Sequence, residues 1–504
     1  MKTLVESVFE REGSGKKAVI CREEELSYHE LCRRVRRVAA YLRKSGVTKG
    51  SRVVMSAISN VAFTVNFLAV QFLGGITVPV DRTMKVSMIE TIARNCEAVL
   101  FINSGRKRHD FVKTVLSSEI AESVEAASDE ADSDEVKESA ERDEYDIAEF
   151  IVTSGTTGTS KCTYHSCGNI YANMINTCEG NGLDEDDVVL IPLPLNHSFG
   201  LRMLRAAFFM GGTVVLQNGT LFTKELERNI RDHACTGMAY ISSAIEGILE
   251  NTGESFIRNV IGKLKFIEFS AGAVPLAIRQ KLVKLLPDTV IYNNWGSSET
   301  GGSIALNVSD AGDKIKALGK PVNGVKAAIY LENEKRFCDK AGEEYTGKMA
   351  LSGSMVMKGY WNKSELSEKV LRNGWFITND LVWKDSDGYY YMLGRSDDVI
   401  NIAGEKINPQ EIETEADKVE GINDTACLCV DDKGSAFGKK LVLIAAGSRS
   451  SGKRLIHELR ETLDKYKVPE EVRFTDYIPR NSIGKIERKS LFPLWESLEN
   501  KGRI

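Results

Sequence analysis

The sequence lacks the cysteine and histidine patterns that hold structural metal ions. Its ten cysteines are scattered, with no CxxC pair followed by a second pair or by spaced histidines, and its six histidines form no cluster. A structural zinc site is therefore not expected. We interpret the cysteines as reduced and mostly buried, which is typical of a cytoplasmic protein.

Long apolar runs are also missing. The first residues, MKTLVESVFEREGSGKK, include acidic side chains and no apolar core, which argues against a secretory signal. The most apolar stretch, residues 63–80, is interrupted by Asn66, Gln71, Gly74 and Gly75. It is too short and too polar for a membrane span, and we interpret it as a buried helix and strand.

No Lys- and Arg-rich run carries interleaved aromatic residues, so nucleic-acid binding is not expected. The formal net charge is −5, yet residues 119–146 alone hold 13 acids and two bases. The remainder is mildly basic, which suits a polyphosphate substrate. We interpret the acidic tract as a solvated connection or a short helix, with docking of a partner as the alternative.

The length of 504 residues indicates two or more domains. Short β-rich runs alternate with helical ones, which predicts an α/β fold with parallel-rich sheets. Residues 26–47 have a helical apolar period, with a capping box formed by Ser27 and Glu30. From about Thr346, three segments are interpreted as hairpins: GKMALSGSMVMKGYW, GWFITNDLVWKDSDGYYYMLGR and DDVINIAGEKI. We also expect the large domain to have a β-barrel-like portion.

The last part of the chain is predicted to be a small, mobile α+β domain. We place the boundary near Ser396–Asp398, which gives a large domain of residues 1–395 and a small one of residues 396–504. The elements predicted in the small domain are a helix at 409–419, strands at 425–430 and 440–446, and a helix at 453–464.

The loop TSGTTGTSK follows an apolar strand and has the chemistry of a phosphate-binding loop. Glycines permit close backbone approach, hydroxyl and N–H groups donate hydrogen bonds, and a lysine adds positive charge. A Walker A loop needs GxxxxGK[ST], and here Ser160 and Cys162 break that pattern. The candidate phosphate ligands are Thr153, Ser154, Gly155, Thr156, Thr157, Gly158 and Lys161.

With its flanking strand, FIVTSGTTGTSK resembles the phosphate loop of the acyl-adenylate-forming (AMP-binding) superfamily. That group contains acyl- and aryl-CoA synthetases, luciferases and the adenylation domains of nonribosomal peptide synthetases. The resemblance spans roughly residues 26–490, in the family's motif order. The other matching segments are IPLPLNHSFGL, FSAGAVPL, YNNWGSSETG, WFITND, GRSDDVI, AGEKINPQEIE and YIPRNSIGKIERK.

The resemblance implies ATP and Mg²⁺ as cofactors and assigns roles to several residues. Trp295 would stack on adenine beside Gly296, Ser298 would bond the α-phosphate, and Glu299 would help hold Mg²⁺. Asn379 replaces the glycine that the family has in this segment. Asp380 would bond the ribose hydroxyls, and Arg395 would be a second nucleotide contact. His197 would border the substrate carboxylate, and Lys485 would act in adenylation.

The same resemblance implies a domain hinge and two pockets. Asp397 matches the hinge residue, while Gly404 and Lys406 lie in the segment that borders the thiol tunnel. Residues 195–199 contain no acid, which disfavours an α-amino acid as substrate. The candidate acyl-pocket residues are Phe199, Tyr240, Ser243 and Gly272.

The predicted function is ATP-dependent activation of a small carboxylic acid to acyl-AMP, followed by transfer to a thiol. The leading acceptor is coenzyme A. A second hypothesis is an enzyme that loads the phosphopantetheine of a separate carrier protein, and a third is a catalytically silent nucleotide-binding homologue. We expect a monomer or homodimer in the cytoplasm, and the sequence does not select the acid.

Overall fold

The computed structural model describes residues 1–126, 136–153, 161–220, 222–270, 274–398, 400–402, 405–432, 439–481 and 484–498. Within these residues the chain forms two compact units. The first comprises Met1–Ser270, Leu276–Ala327 and Leu351–Phe376, and the second comprises residues 271–275, 328–350 and 377–504. The predicted domain boundary near Ser396–Asp398 stays a prediction.

A nine-stranded sheet in the first unit has the order β15-β14-β13-β12-β11-β9-β10-β1-β2. Its central pairs from β13 to β1 are parallel, and antiparallel pairs lie at its edges. The strands are β1 (Lys17–Cys21), β2 (Glu24–Ser27), β9 (Val188–Ile191), β10 (Thr213–Leu216), β11 (Gly237–Ile241), β12 (Phe266–Ser270), β13 (Val290–Ser297), β14 (Gly301–Asn307) and β15 (Lys320–Pro321).

A seven-stranded sheet in the same unit has the order β19-β8-β7-β4-β3-β5-β6. It is parallel except where β8 pairs with β7 and with β19. The strands are β3 (Arg52–Ala57), β4 (Ile76–Asp81), β5 (Leu100–Asn103), β6 (Thr114–Leu116), β7 (Ile147–Thr153), β8 (Lys161–Ser166) and β19 (Gly359–Tyr360).

Helices follow most of these strands, as a parallel sheet requires. The described helices of the first unit are α1 (Leu4–Phe9), α2 (Tyr28–Lys44), α3 (Val61–Phe72), α4 (Val86–Asn95), α5 (Ser117–Ala126), α6 (Cys167–Asn181), α7 (Ser198–Met210), α8 (Thr223–Asp232), α9 (Ser242–Asn259), α10 (Leu276–Leu285) and α11 (Ser364–Val370). Within the described residues, none of the helices is long and apolar enough to cross a membrane.

The predicted helix at 26–47 is confirmed as α2, with both ends corrected to Tyr28 and Lys44. Ser27 caps the helix and Glu30 closes a capping box, while the residues up to Ser27 belong to β2. The apolar stretch 63–80 forms most of α3 and β4, as predicted. Nine of the ten cysteines are buried. The acidic tract begins in α5, and its residues 127–135 lie outside the described part.

The second unit holds most of a six-stranded sheet of order β17-β16-β18-β21-β20, in which β22 also pairs with β21. The hairpin predicted over GWFITNDLVWKDSDGYYYMLGR is confirmed as β21 and β22. The strands are β16 (Lys326–Leu331), β17 (Arg336–Cys338), β18 (Gly347–Ser352), β20 (Leu371–Arg372), β21 (Trp375–Lys384) and β22 (Tyr390–Arg395).

The hairpin predicted over GKMALSGSMVMKGYW is wrong. Its second half, β19, pairs with β8 in the seven-stranded sheet, with Tyr360 opposite Thr163. The aromatic ring of Trp361 packs on Phe150 and Tyr164 of that sheet, with ring centroids 5.0 and 5.7 Å away. Long-range packing of these rings therefore overrides the local pattern.

The C-terminal elements match the predicted α+β pattern. β23 (Ile400–Ile402) and β24 (Glu405–Ile407) form the predicted hairpin. The antiparallel pair β25 (Ile422–Asp431) and β26 (Lys439–Gly447) is extended by β27 (Glu471–Thr475), parallel to β26. The helices are α12 (Pro409–Ala416), α13 (Gly452–Thr462) and α14 (Arg488–Ser497).

Both faces of this small sheet are buried. Leu441, Leu443 and Ala445 face one core with α12 and α13, while Val442 and Ile444 face another with α14. Strand alternation explains the division, since successive side chains point to opposite faces.

Candidate active site

The predicted phosphate loop connects two antiparallel strands of the seven-stranded sheet. Thr153 ends β7, Lys161 begins β8, and the two residues are paired in register. The candidate ligands Ser154, Gly155, Thr156, Thr157 and Gly158 lie outside the described residues. A Walker A loop joins a strand to a helix, so the strand–loop–strand connection excludes a P-loop NTPase.

The predicted magnesium ligand Glu299 lies in the tight turn between β13 and β14. Trp295 and Gly296 are near the end of β13, and Ser298 opens the turn. The glycine is required, because a Cβ at Gly296 would lie 1.9 Å from the carbonyl oxygen of Gly301. The turn therefore holds the implied adenine, phosphate and metal contacts within five residues.

Tyr360 also belongs to this site, although the sequence motifs give it no role. The hydroxyl of Tyr360 donates a hydrogen bond to Oε1 of Glu299 at 2.7 Å. The ammonium group of Lys161 lies 5.4 Å from the centroid of the same ring. Tyr360 thus brings the predicted phosphate-loop lysine and the predicted metal ligand together.

His197 is the N-cap residue of α7, immediately before the first helical residue. Burial lowers the pKa of His197 below its ordinary value of 6.5, against an opposing effect of Asp81. The imidazole is therefore neutral at pH 7, which suits a group beside a carboxylate that must remain nucleophilic.

The candidate acyl-pocket residues are distributed over three segments. Phe199 is buried in the first turn of α7, and the guanidinium of Arg202 lies 5.2 Å from its ring centroid. Tyr240 is buried in β11 and donates its hydroxyl to the carbonyl oxygen of Thr220. The backbone of Ser243 belongs to α9, and Gly272 lies outside the described residues.

Two buried ion pairs connect α7 to the two sheets. Arg202 contacts Glu268 of β12, and Arg205 contacts Glu149 of β7, each at 2.5 Å. All four side chains are at most 6% exposed. The Arg205–Glu149 pair joins the helix that begins beside His197 to the strand that leads into the phosphate loop.

His165 gives this region an expected pH dependence. Burial lowers the pKa of His165 from 6.5 to about 3, and Arg205 adds to the effect. Below about pH 6.5 the unfolded chain binds a proton at this histidine, whereas the folded protein keeps the ring neutral down to about pH 3. The free energy of unfolding should therefore be unaffected by this group above pH 6.5 and should fall progressively as the pH drops from 6.5 towards about 3.

Urea unfolding at a series of pH values checks this expectation. The glutamine of His165→Gln does not titrate, so the free energy of unfolding of the variant should fall less steeply with acidification than that of the parent. Parallel curves for the two proteins would contradict the assignment of a neutral, buried imidazole.

The implied ribose ligands are brought together in the second unit. Asp380 in β21 and Arg395 at the end of β22 are register partners, with 3.2 Å between Oδ1 and Nη1. The guanidinium of Arg395 also makes two 2.9 Å hydrogen bonds to the carboxylate of Asp397. Burial raises the pKa of Asp397, but these bonds outweigh it and hold the pKa below 3.8. Its implied hinge role stays a prediction.

Lys485 belongs to the same unit and is hydrogen-bonded to Asn481. Its N–H donates to Oδ1 of Asn481 at 3.0 Å, and its carbonyl oxygen accepts from the N–H of Asn481 at 2.9 Å. Arg480 donates to the carbonyl oxygen of Gly484 at 2.7 Å and pairs with both carboxylate oxygens of Asp424. The backbone at Lys485 is therefore well supported.

The two implied tunnel residues are described only in part. The backbone of Lys406 belongs to β24. Gly404 lies outside the described residues.

Residues 5–361 match the sequence model described as AMP-binding enzyme. The chain belongs to this AMP-binding enzyme family. The predicted family and the mixed α/β fold class are thereby confirmed.

Relatives within the AMP-binding family include CoA ligases. A feruloyl-CoA synthase from Amycolatopsis sp is 28% identical over 92% of this chain and 92% of its own. A 2-succinylbenzoate–CoA ligase from Bacillus licheniformis is 31% identical over 69% of this chain and 70% of its own.

Solved structures share the fold of this AMP-binding enzyme over nearly the whole chain. ATP-bound MatB from Rhodopseudomonas palustris has a TM-score of 0.88 at 23% identity, covering 98% of this chain and 99% of its own. The o-succinylbenzoate CoA synthetase from Bacillus subtilis, in complex with its acyl-adenylate OSB-AMP, has a TM-score of 0.86 at 23% identity. It covers 97% of this chain and 98% of its own.

Proposed function

We propose that this enzyme activates a carboxylic acid with ATP and transfers the acyl group to coenzyme A. The observation that carries the proposal is the convergence of Lys161 and Glu299 on Tyr360, in a chain of the AMP-binding family. The lysine of the predicted phosphate loop and a carboxylate suited to a hard metal ion both contact one tyrosine, which supports binding of a metal–polyphosphate in this region. The CoA ligases among its relatives support CoA as the acceptor over a carrier protein.

In the first step, a carboxylate oxygen of the substrate attacks the α-phosphorus of ATP, and the bond to the bridging oxygen of pyrophosphate breaks. Lys161 and the phosphate loop hold the β- and γ-phosphates that leave. Ser298 contacts the α-phosphate, Trp295 stacks on adenine, and the neutral His197 borders the substrate carboxylate. No covalent enzyme intermediate forms.

The carboxylate of Glu299 fits a magnesium ion, because Mg²⁺ is commonly bound by one or two carboxylates together with substrate phosphates. When bound, the ion neutralises charge that develops on the phosphates. In the second unit, Asp380 and Arg395 are assigned to the ribose, and Lys485 to the α-phosphate during adenylation.

In the second step, the thiol of coenzyme A attacks the carbonyl carbon of the mixed anhydride, and AMP leaves. Gly404 and Lys406 are assigned to the path of the thiol, and Asp397 to the hinge that separates the two steps. The names of the relatives make an aromatic carboxylic acid the first candidate substrate. We also propose a cytoplasmic monomer or homodimer.

Release of AMP and pyrophosphate from ATP should be measured with a panel of aromatic and aliphatic carboxylic acids, with and without CoA. We expect sustained AMP release only when CoA and an accepted acid are both present, and no turnover with free amino acids as the matched negative set. A single CoA-independent round of pyrophosphate release without CoA turnover would favour a carrier-protein acceptor. Absence of ATP consumption with every acid would contradict the proposal.

A further inference from the structure

Tyr360 contacts two groups to which the proposed function gives roles. Its hydroxyl donates to Oε1 of Glu299 at 2.7 Å, and its ring lies beneath the ammonium group of Lys161, 5.4 Å from the centroid. The residue is 6% exposed. A buried ring that contacts both the carboxylate and the cation is able to set the position of each relative to the other.

The backbone around Tyr360 is held by the same two segments. The N–H of Met357 donates to the carbonyl oxygen of Glu299 at 2.8 Å, and the N–H of Trp361 donates to the carbonyl oxygen of Cys162 at 2.8 Å. Cys162 directly follows Lys161 in β8. Residues 357–361 therefore connect the turn that carries Glu299 to the strand that leaves the phosphate loop.

We propose that Tyr360 is a positioning residue that orients Glu299 towards the magnesium ion of Mg–ATP; this rests on the proposed function. The phenol holds one carboxylate oxygen, so the other is presented to the cation in a fixed rotamer. Groups that hydrogen-bond a metal-ligating carboxylate fix its direction and contribute to metal affinity. The same ring also holds Lys161 by a cation–π contact, so the lysine is kept near the phosphates that share the metal.

Tyr360→Phe tests the proposal, because it removes the hydroxyl and retains the ring. The matched control is Tyr28→Phe, since the buried hydroxyl of Tyr28 donates to the carbonyl oxygen of Gly212 at 2.7 Å, away from the candidate site. Binding of Mn²⁺ to the full chain should be measured by electron paramagnetic resonance, in the presence of the non-reacting analogue α,β-methylene-ATP.

We expect Tyr360→Phe to weaken Mn²⁺ binding by about 10- to 100-fold, the usual loss when a group that supports a metal ligand is removed. In pyrophosphate exchange, the Mg²⁺ concentration for half-maximal rate should rise, and excess Mg²⁺ should restore much of the rate. Tyr28→Phe should leave metal binding unchanged while lowering the melting temperature about as much as Tyr360→Phe does.

Glu299→Gln separates failure of this inference from failure of the proposed function. If Glu299→Gln abolishes Mn²⁺ binding and Tyr360→Phe does not weaken it, Glu299 is the ligand and Tyr360 has no positioning role. If Glu299→Gln also binds Mn²⁺ normally, the assignment of the metal ligand itself is overturned. Equal weakening in Tyr360→Phe and Tyr28→Phe would show a general effect of lost stability and would likewise overturn the inference.

Discussion

Replacing Lys485 with alanine should slow formation of the acyl-adenylate by about 10²- to 10³-fold, the usual loss when one preorganised donor is removed from a transition state. Both reactants of this step are anions, and negative charge builds on the α-phosphate and on the leaving pyrophosphate. A fixed ammonium group stabilises that charge more in the transition state than in the ground state. Its loss should therefore appear in kcat more than in the affinity for ATP.

The surroundings of Lys485 support a preorganised role. Reciprocal backbone and side-chain hydrogen bonds join Asn481 to Lys485. Arg480 fixes the carbonyl oxygen of Gly484 and is itself held by both oxygens of Asp424. These contacts order the backbone from which the side chain of Lys485 extends.

The two half-reactions measured separately check this prediction. Pyrophosphate exchange reports adenylation, and a single turnover of synthetic acyl-AMP with CoA reports thioester formation. Lys485→Ala should lose the first and retain the second. Lys489→Ala, which removes an exposed lysine four residues away at the start of α14, should retain both. Unchanged pyrophosphate exchange in Lys485→Ala would exclude the assigned role.

Those parts of the fold that depend on local patterns could be predicted from the sequence. Ser27 and Glu30 mark the start of α2 by a capping interaction that spans only three residues. The strand at 440–446 is apolar throughout because both of its faces are buried. A continuous apolar run predicts such a strand but does not say which helix covers which face.

The contacts that position the site could not be predicted in the same way. Tyr360 lies 61 residues from Glu299, and β19 is only two residues long. The pairing of β19 with β8 depends on where Trp361 packs, and no local periodicity in the sequence predicts that position. The family motifs around Glu299 and Lys161 therefore identified the two ends of this contact and omitted the residue that connects them.

The ion-pair partners of the two arginines in α7 could not be predicted from the sequence either. In LRMLRAAFF, Arg202 and Arg205 interrupt an otherwise apolar helix. This interruption is the sequence feature that indicates a buried ion pair. Arginine is rarely fully buried unless it is paired, so two arginines among large apolar residues indicate buried partners. The partners Glu268 and Glu149 come from two different sheets, and only the tertiary structure identifies them.

Replacing Arg205 with methionine should destabilise the protein by about 3–5 kcal/mol, because it leaves the carboxylate of Glu149 buried without its counter-charge. Glu149 is 1% exposed, and its Oε1 atom accepts a hydrogen bond from Arg205 at 2.5 Å. Its Oε2 atom has no hydrogen-bond partner among the residues that the structure describes. Burial raises the pKa of Glu149, and the guanidinium opposes this shift. Removal of the guanidinium should therefore also make the carboxyl take up a proton, and the destabilisation should be smaller at acid pH than at alkaline pH.

The double variant Glu149→Leu with Arg205→Met separates the cost of an unpaired charge from the net value of the pair. Replacement of both partners by apolar side chains is often close to neutral, so the double variant should recover most of the stability lost in Arg205→Met. Urea unfolding followed by tryptophan fluorescence measures the stability of the single and the double variant. The control is Arg231→Met, which removes an exposed ion pair with Asp232 and should leave the unfolding midpoint unchanged. If the double variant is as unstable as Arg205→Met, the unpaired charge of Glu149 is not the cause of the destabilisation.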